Sequence, residues 1–571
     1  MPADAQRIAF TPKLITVLGE GYGVDRLRRD AVAGLTVAIV ALPLAMALAI
    51  ASGASPDKGL VTAVVAGFLI SALGGSRVQV GGPTGAFVAV VFNVIAQHGY
   101  DGLVLAMLMA GLMLIATGYA KLGSLIRFIP HPVVTGFTAG IAVIIASSQV
   151  KDFLGLSIDN VPADFIAKWQ AYHSALGTAQ WAALAIGAGA LGLIIGLRRW
   201  APRLPGFLIA IVIASALAAL LHLPVETIGS RFPDLPSGLP TPSMPDFSFT
   251  KIQAVIPSAF TIAFLAGIEA LLSAVVADGM VGSRHRSNQE LVGQGIANIA
   301  SALFAGLPAT GAIARTATNI RAGATTPVAG MLHAAFLLLF MLLASDLMAY
   351  VPLAALAAIL FVVAWGMSEQ DRFVRILRMP GGDRALLLLT FALTVLVDLT
   401  VAIGVGVTLA SLLFMMRMSR TVEIATGVDD RSSDEEGESG GEDVGQRIGL
   451  PRGVEVFRIE GPLFFGVADE LLDTLRRAGS NPKAVILRMR RVPLLDASGA
   501  GVIEQIVTRA TAAGTHIIFS GVQAQPLEML SRLSLGANQP HITYSDGLAE
   551  ALRIAAAITI APTDPKDRTP S

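Results

Sequence analysis

A series of long apolar stretches between Ala31 and Met416 constrains this chain more than any other feature of its sequence. Many of them approach the roughly 20 residues that a helix needs to cross a bilayer. Only 14% of the residues are charged, against about 25% in soluble domains. There are about fourteen stretches, at 31–51, 59–75, 84–97, 101–120, 131–150, 178–197, 204–222, 255–277, 289–306, 311–320, 326–345, 347–366, 384–397 and 399–416. The sequence therefore predicts a polytopic α-helical membrane protein.

Clusters of basic residues lie before the first stretch or after an even-numbered one. They are Arg26, Arg28 and Arg29; Lys121 and Arg127; Arg198, Arg199 and Arg203; Arg284 and Arg286; Arg372, Arg375, Arg378 and Arg384; and Arg417 and Arg420. An excess of Lys and Arg marks cytoplasmic loops. We therefore expect both termini in the cytoplasm of a bacterial inner membrane. Residues 1–30 are the expected cytoplasmic N-terminus, and residues 31–417 the expected transmembrane domain.

Two similar strings open the third and the tenth stretch, which are too short to cross the membrane as ordinary helices. Gly81–Phe87 contains Pro followed directly by Thr-Gly-Ala, and Leu307–Ile313 contains Pro-Ala followed by Thr-Gly-Ala. Seven stretches per half is an odd number, so the second half is inverted relative to the first. Inverted 7+7 repeats with a broken helix in each half are typical of secondary transporters. The alternative is that Pro and Gly only kink two ordinary helices.

Two half-helices that meet near the middle of the bilayer would form an anion site. Their first turns carry unpaired N–H groups and a partial positive charge. The candidate residues are Thr84, Gly85, Ala86, Phe87, Gly311, Ala312, Ile313, Ala314 and Arg315, with the Thr310 hydroxyl beside them. Glycine at positions 85 and 311 is expected to let the anion approach the backbone closely. Simple N-capping by the two threonines is an equally good interpretation for either one alone.

Two ionisable residues inside apolar stretches are candidates for function, because such residues are rare in membranes. Arg315 would add a full positive charge to the anion site, unless it extends to the membrane interface. Glu269 lies in the middle of the eighth stretch. Burial favours the uncharged carboxyl group, so Glu269 can carry a coupling proton near neutral pH. The alternatives are an ion pair with Arg315 or a Na⁺ site with Ser273.

The remaining ionisable residues suggest no other chemistry. Asp278, Asp346, Asp398 and Glu290 lie near the ends of stretches and are expected to be solvated caps. No Walker A string, nucleophile–base pattern or metal-ligand spacing occurs, and there is no cysteine. The sequence predicts no enzyme activity, no cofactor, no metal site and no nucleic-acid partner.

The C-terminal quarter of the chain is polar. Residues 421–450 are strongly acidic and predict a disordered linker. Residues 452–557 alternate between strand and helix patterns and predict a small α/β domain; residues 558–571 predict a disordered tail. Its expected elements are strands at 454–460, 484–489 and 515–520, helices at 467–477 and 498–513, and two later helices. Ser498 lies at a predicted helix N-terminus, where a phosphate is well received. Helix capping by Asp496 or Ser498 is the simpler interpretation.

Together these motifs resemble SulP-type anion permeases that carry a C-terminal STAS domain. The resemblance rests on Pro43–Ala49 in the first stretch, Gly81–Phe87, Pro308–Asn319 and the loop Asp496–Gly499. It implies a core domain that moves against a gate domain in a rocking or elevator motion, with the anion between the third and tenth helices. It also implies a coupling residue at Glu269, a homodimer, and regulatory phosphorylation or a cytoplasmic protein partner at the STAS domain.

The identity of the anion is less constrained. Leu44 and Leu48 stand where many sulfate permeases of the family have Gln and Tyr, and the variant resembles C4-dicarboxylate carriers of the family. We therefore expect proton-coupled uptake of a dianion, either a C4-dicarboxylate or sulfate. The alternatives are a sulfate or bicarbonate permease coupled to Na⁺, an uncoupled exchanger or channel, and a signalling scaffold that has lost transport.

Overall fold

The computed structural model describes most of the chain. The described residues are 10–124, 130–158, 161–162, 164–202, 204–233, 238–245, 247–397, 399–426, 450–464, 482–533, 535–536 and 539–560. They fall into two compact units, which divide between Ala410 and Ser411. Arg127, Arg203, Asp398 and the predicted helix at 467–477 lie outside the described residues, as do most of the predicted linker (427–449) and tail (561–571).

The first unit is helical. Its helices are α1 (Lys13–Gly19), α2 (Val24–Ala51), α3 (Pro56–Leu73), α4 (Val88–Tyr119), α5 (His131–Leu154), α6 (Phe165–Ala175), α7 (Trp181–Trp200), α8 (Gly206–Leu220), α9 (Ile228–Arg231), α10 (Phe249–Val281), α11 (Ser287–Leu303), α12 (Ile313–Arg321), α13 (Val328–Met348), α14 (Leu353–Met367), α15 (Gln370–Leu377), α16 (Gly381–Leu396) and the first part of α17 (Leu399–Ser419), which continues past Ala410. Within the described residues, nine helical segments are long and apolar enough to span a membrane. Every predicted stretch overlaps one of the helices α2 to α17.

Several predicted boundaries are wrong for a common reason. Helix α2 begins at Val24 rather than Ala31, and α10 extends to Val281. Hydropathy marks the part of a helix that lies in lipid, whereas the backbone hydrogen bonds continue into the polar ends. The third and fourth stretches form the single helix α4, which is interrupted at Gly99 with φ 70°. That backbone conformation favours glycine, which explains the break between the two stretches.

The helices of the first unit pack as two bundles. Helices α2, α3, α4, α10, α11, α12 and α13 form the first bundle, and helices α5, α7, α8, α14 and α16 form the second. The first bundle contains both halves of the repeat motif. There the two-residue strands β1 (Gly81–Gly82) and β2 (Thr310–Gly311) pair antiparallel, with Gly81 opposite Gly311. The two motifs therefore meet at one place inside the bundle.

A buried carboxylate connects the start of α2 to the loop before α13. Asp30 is fully buried and accepts hydrogen bonds from the Thr325 N–H at 2.8 Å and the Tyr22 hydroxyl at 3.1 Å. It also accepts from the Thr326 N–H and hydroxyl. Hydrogen bonds to a charged group stabilise a fold more than hydrogen bonds between neutral groups. Loss of the acceptor would also leave these donors buried without a partner.

The Asp30→Ala substitution is expected to destabilise the protein by about 3 kcal/mol, because it leaves several donors without an acceptor. The melting temperature of the purified protein in detergent measures this loss. Asp25→Ala is the control, because Asp25 is exposed in the first turn of the same helix. Equal melting temperatures for the two variants would show that the buried hydrogen bonds contribute little.

The second unit contains a five-stranded sheet. Its strands are β3 (Glu423–Thr426), β4 (Val454–Glu460), β5 (Ala484–Arg491), β6 (His516–Ser520) and β7 (Ile542–Ser545), and its helices are α18 (Ala497–Ala512), α19 (Ala524–Arg532) and α20 (Leu548–Ile560). The strand order is β3-β4-β5-β6-β7, antiparallel between β3 and β4 and parallel elsewhere.

The sequence predicted most of this α/β domain, with three errors. Residues 423–426 belong to the sheet as strand β3, although they fall in the predicted linker, because their backbone pairs with β4. Strand β7 was not predicted, since four residues give too short an alternation to recognise. The last helix also includes residues 558–560 of the predicted tail.

Candidate functional site

The crossing of the two repeat motifs is held by hydrogen bonds between the halves. The Ala312 N–H donates to the Val80 carbonyl at 2.9 Å, and the Val80 N–H donates to the Thr316 hydroxyl at 3.1 Å. The Asn319 amide donates to the Val78 carbonyl at 2.9 Å. These bonds fix the start of α12 against the segment that leads into α4. They position two helix N-termini without any charged side chain.

A cavity of about 430 Å³ adjoins these N-termini. Of the predicted site residues, it is lined by Thr84, Gly85, Ala312, Ile313, Ala314, Arg315 and Glu269. Its other walls include Val37, Val40, Leu44 and Leu48 of α2, and it extends to Arg198 and Glu369. Ala86, Phe87 and Gly311 are buried but do not line it. The structure therefore gathers most, but not all, of the predicted residues around one space.

Arg315 provides the buried positive charge of the cavity. Its side chain is 3% exposed, and Nη2 donates to the Pro83 carbonyl at 3.0 Å. Among the described residues, Nε and Nη1 have no hydrogen-bond partner. A buried charged donor without an acceptor is costly, and a bound anion would offset that cost. Arg315 is thus directed towards the protein interior rather than extended to the interface.

Glu269 shares the cavity but is not paired with Arg315. Its Oε2 accepts a hydrogen bond from the Thr84 hydroxyl at 3.0 Å. No ion pair joins Glu269 to Arg315 in the described part of the chain, so the structural ion pair considered above is wrong. The Ser273 hydroxyl donates to the Thr316 hydroxyl at 3.3 Å. The Glu269 carboxyl group and the Arg315 guanidinium group therefore line the same cavity without pairing with each other, and both can contact a bound ligand.

Two predicted roles at the crossing are wrong. The Thr310 hydroxyl donates to the Ala266 carbonyl at 2.8 Å and is absent from the cavity lining. Glycine at position 311 makes room for Gln79, because a Cβ atom there would lie 1.4 Å from the Gln79 Nε2 atom. Gln79 in turn donates to the Ala270 carbonyl at 3.0 Å. Thr310 and Gln79 therefore hold the backbone of α10 on either side of Glu269.

The sequence predicted no role for Gln79, and the role that it predicted for Glu290 is wrong. A polar residue just before the Gly81 motif, within apolar sequence, was the available signal for Gln79. Glu290 is not a solvated cap: it is fully buried and accepts from the Gly75 N–H at 2.7 Å and the Ser76 N–H at 3.1 Å. Its location near the end of a predicted stretch gave no indication that a distant loop folds over it.

The Gly311→Ala substitution is expected to lower stability by about 1–3 kcal/mol, as overpacking does, and to reduce transport. The added methyl group displaces Gln79 and breaks its hydrogen bond to α10. The double variant Gln79→Ala, Gly311→Ala should recover part of the melting temperature, because it restores the space. Gly189→Ala is the control, since its Cβ would meet no atom within 4 Å. A double variant less stable than Gly311→Ala would contradict this explanation.

Ser498 lies in the first turn of α18, as the sequence predicts, and is exposed. The cap of this helix is Asp496, whose Oδ1 accepts from the Gly499 N–H at 2.8 Å. The Ser498 hydroxyl is therefore not needed for capping, and phosphorylation at this position stays a prediction.

Comparison with known proteins identifies the family. Residues 27–390 match the sulfate permease family and residues 450–550 match the STAS domain. YvdB of Bacillus subtilis, which is named for sulfate transport, is 42% identical over 90% of this chain and 95% of its own length. The bicarbonate transporter BicA of Picosynechococcus is 31% identical over 93% of this chain and 94% of its own length.

Solved structures support the same fold. The transmembrane domain of a cyanobacterial BicA matches with a TM-score of 0.61 at 31% identity, over 68% of this chain and 98% of that one. The murine anion transporter Slc26a9 matches with a TM-score of 0.85 at 17% identity, over 97% of this chain and 95% of that one. The chain belongs to the sulfate permease family, and it is a multi-pass membrane transporter of anions with a C-terminal STAS domain.

Proposed function

We propose that this protein takes up a compact oxyanion together with a proton, and that the anion binds in the cavity between Arg315 and the first turns of the two short helices. The observation that carries the proposal is the Arg315 guanidinium, which is buried with two nitrogens free to donate to a ligand. The amide groups of Gly85, Ala314 and neighbouring residues supplement it, since first-turn N–H groups have no intrahelical acceptor.

Sulfate or bicarbonate suits this cavity better than a C4-dicarboxylate. A dicarboxylate has two charged groups separated by a carbon chain, and each needs its own donors. Arg315 is the buried cation among the described lining residues, whereas the α2 wall offers Val37, Val40, Leu44 and Leu48. An anionic group against that wall would lose its hydration without compensation. The names of the relatives, which refer to sulfate and bicarbonate, point the same way.

The transport cycle follows from the position of the cavity between the bundles. Helices α2, α10 and α12 of the first bundle and α14 of the second all contribute to its walls. If the first bundle moves against the second in an elevator-like motion, the crossing of β1 and β2 carries the anion with it as a rigid body. Glu269 travels on the same bundle, so its proton and the anion cross together.

Uptake by proteoliposomes tests this proposal. Labelled sulfate, bicarbonate and succinate are supplied separately, each with and without an inward proton gradient and with and without Na⁺. We expect accumulation of sulfate or bicarbonate that depends on the proton gradient. Preferential uptake of succinate would restore the dicarboxylate hypothesis, and dependence on Na⁺ alone would overturn proton coupling. Homodimer formation and a protein partner for the STAS domain stay predictions.

A further inference from the structure

A second cavity, of about 410 Å³, lies further along the same two elements that line the first. Helix α2 contributes Leu44 and Leu48 to the first cavity and Ala51 to the second. The motif that leads into α4 contributes Gly85 to the first cavity, and α4 itself contributes Val88 to the second. On each of these two segments, the nearest residues that line the first and the second cavity are only three positions apart.

Phe87 lies in the chain between Gly85, which lines the first cavity, and Val88, which lines the second. Phe87 is 2% exposed and lines neither space. A Cβ atom on Gly85 would lie 2.7 Å from the Met367 sulfur and 3.0 Å from the Ile145 side chain. These side chains fill the region beside the N-terminus of the first half-helix. Arg315 therefore lines the first cavity and does not line the second.

A buried lysine lies in the second cavity. Lys168, on α6, is 5% exposed, and its ammonium group lies 5.3 Å from the centre of the Phe92 ring. Within the described residues, no carboxylate lies within ion-pairing distance of it. Asp164 also lines the cavity, but its Oδ1 accepts from the Ala167 N–H at 2.9 Å as the cap of α6. Burial lowers the pKa of Lys168, and Asp164 opposes this effect.

The other polar groups of the second cavity are neutral and come from three helices. Asn93 and Gln97 belong to α4, Ser148 to α5 and Thr394 to α16. The Ser148 and Thr394 hydroxyls donate to the Ile145 and Thr390 carbonyls. The side-chain amides of Asn93 and Gln97 are therefore the neutral groups that can donate to an oxyanion, and the lysine supplies the charge. The Lys168 side chain is only 5% exposed and has no close counterion among the described residues, so an anion in the cavity would stabilise its ammonium group.

We propose that the second cavity is an anion-capture site, in which Lys168 binds the oxyanion from the side opposite Arg198 before it passes to Arg315. The basic-loop pattern assigns the α6 segment to the exterior, because it follows the fifth span. This inference rests on the proposed anion transport for its role in the cycle. The binding of an anion at Lys168 itself does not depend on transport.

The first experiment measures labelled sulfate and bicarbonate uptake into right-side-out vesicles. Lys168→Gln should raise the external half-saturation concentration about tenfold and leave the half-saturation for efflux from inside unchanged within about twofold. Lys168→Arg should restore most of the affinity. Lys251→Gln is the matched control, since Lys251 is exposed on α10 and assigned to the same face. An equal shift in the half-saturation concentrations for uptake and for efflux would overturn a site that serves only the exterior side.

The second experiment requires no transport. The wild-type protein is treated with a membrane-impermeant acylating reagent, and the modification rates of Lys168 and Lys251 are read by peptide mass spectrometry. Sodium sulfate or bicarbonate should slow modification of Lys168 severalfold in a saturable manner and leave Lys251 unaffected. Absence of this difference, or no reaction of Lys168 from outside, overturns the proposed site. Protection without any uptake would instead overturn the proposed function and keep the site.

Discussion

The Arg315→Ala variant is expected to bind the transported oxyanion about 100-fold more weakly, a loss of about 3 kcal/mol. The wild-type guanidinium donates to Pro83 and has two further buried nitrogens available for a ligand. Charged hydrogen bonds in such a dry environment are stronger than at a surface, because water does not compete for the donors. The half-saturation concentration for sulfate or bicarbonate uptake measures the effect.

Two further variants separate binding from folding. Arg321→Ala removes an exposed arginine from the last turn of the same short helix and should leave affinity unchanged. Arg315→Lys keeps the charge but not the planar donor group, so it should recover only part of the affinity. All variants are first compared by size-exclusion chromatography. Normal affinity in a well-folded Arg315→Ala protein would remove Arg315 from the site.

The Glu269→Gln variant is expected to lose accumulation driven by the proton gradient while it still binds the anion. An ionised carboxylate near a bound anion repels it, at a cost of about 4 kcal/mol for charges about 4 Å apart at an effective dielectric of about 20. Protonation removes this repulsion, so proton and anion bind cooperatively. By linkage, each tightens the binding of the other by the same factor. The amide of Gln imitates the protonated state at every pH.

The pH dependence of binding has a definite sign. Anion affinity of the wild type should increase as pH falls, because the protonated form of Glu269 is the one that accepts the anion. Affinity in Glu269→Gln should be independent of pH, and the Thr84 hydroxyl can still donate to the amide oxygen in place of the carboxylate oxygen at 3.0 Å. Binding is followed by isothermal titration calorimetry of the purified protein across a pH series.

Uphill uptake decides whether Glu269 carries the coupling proton. Proteoliposomes that are acidic outside should concentrate substrate with the wild type and only equilibrate it with Glu269→Gln. Asp101→Asn is the control, because it removes an exposed carboxylate elsewhere in the same unit. If Glu269→Gln still concentrates substrate against its gradient, another group carries the proton and the proposed mechanism fails.

The sequence alone predicted a helical membrane protein and the place where the two repeat motifs form the candidate site. Apolar segments of bilayer length leave a helix few alternatives in lipid, because every backbone polar group must be paired within the segment. The repeated Pro and Thr-Gly-Ala strings of the two halves located the crossing of β1 and β2. Arg315 and Glu269 were recognisable because charged residues are costly inside membranes and occur there with a function. All of these inferences depend on the local sequence and on the free-energy cost of placing its polar and charged groups in lipid.

The tertiary structure decided which side chains share a space. Glycine at position 311 accommodates Gln79 rather than an anion, and Thr310 hydrogen-bonds α10 instead of lining the cavity. Lys168 resembles any loop lysine in the sequence, yet it is buried over Phe92, a residue 76 positions earlier in the chain. Such contacts join segments that are distant in sequence, and their geometry depends on how whole helices pack. Periodicity and hydropathy describe each helix separately and carry no information about its neighbours.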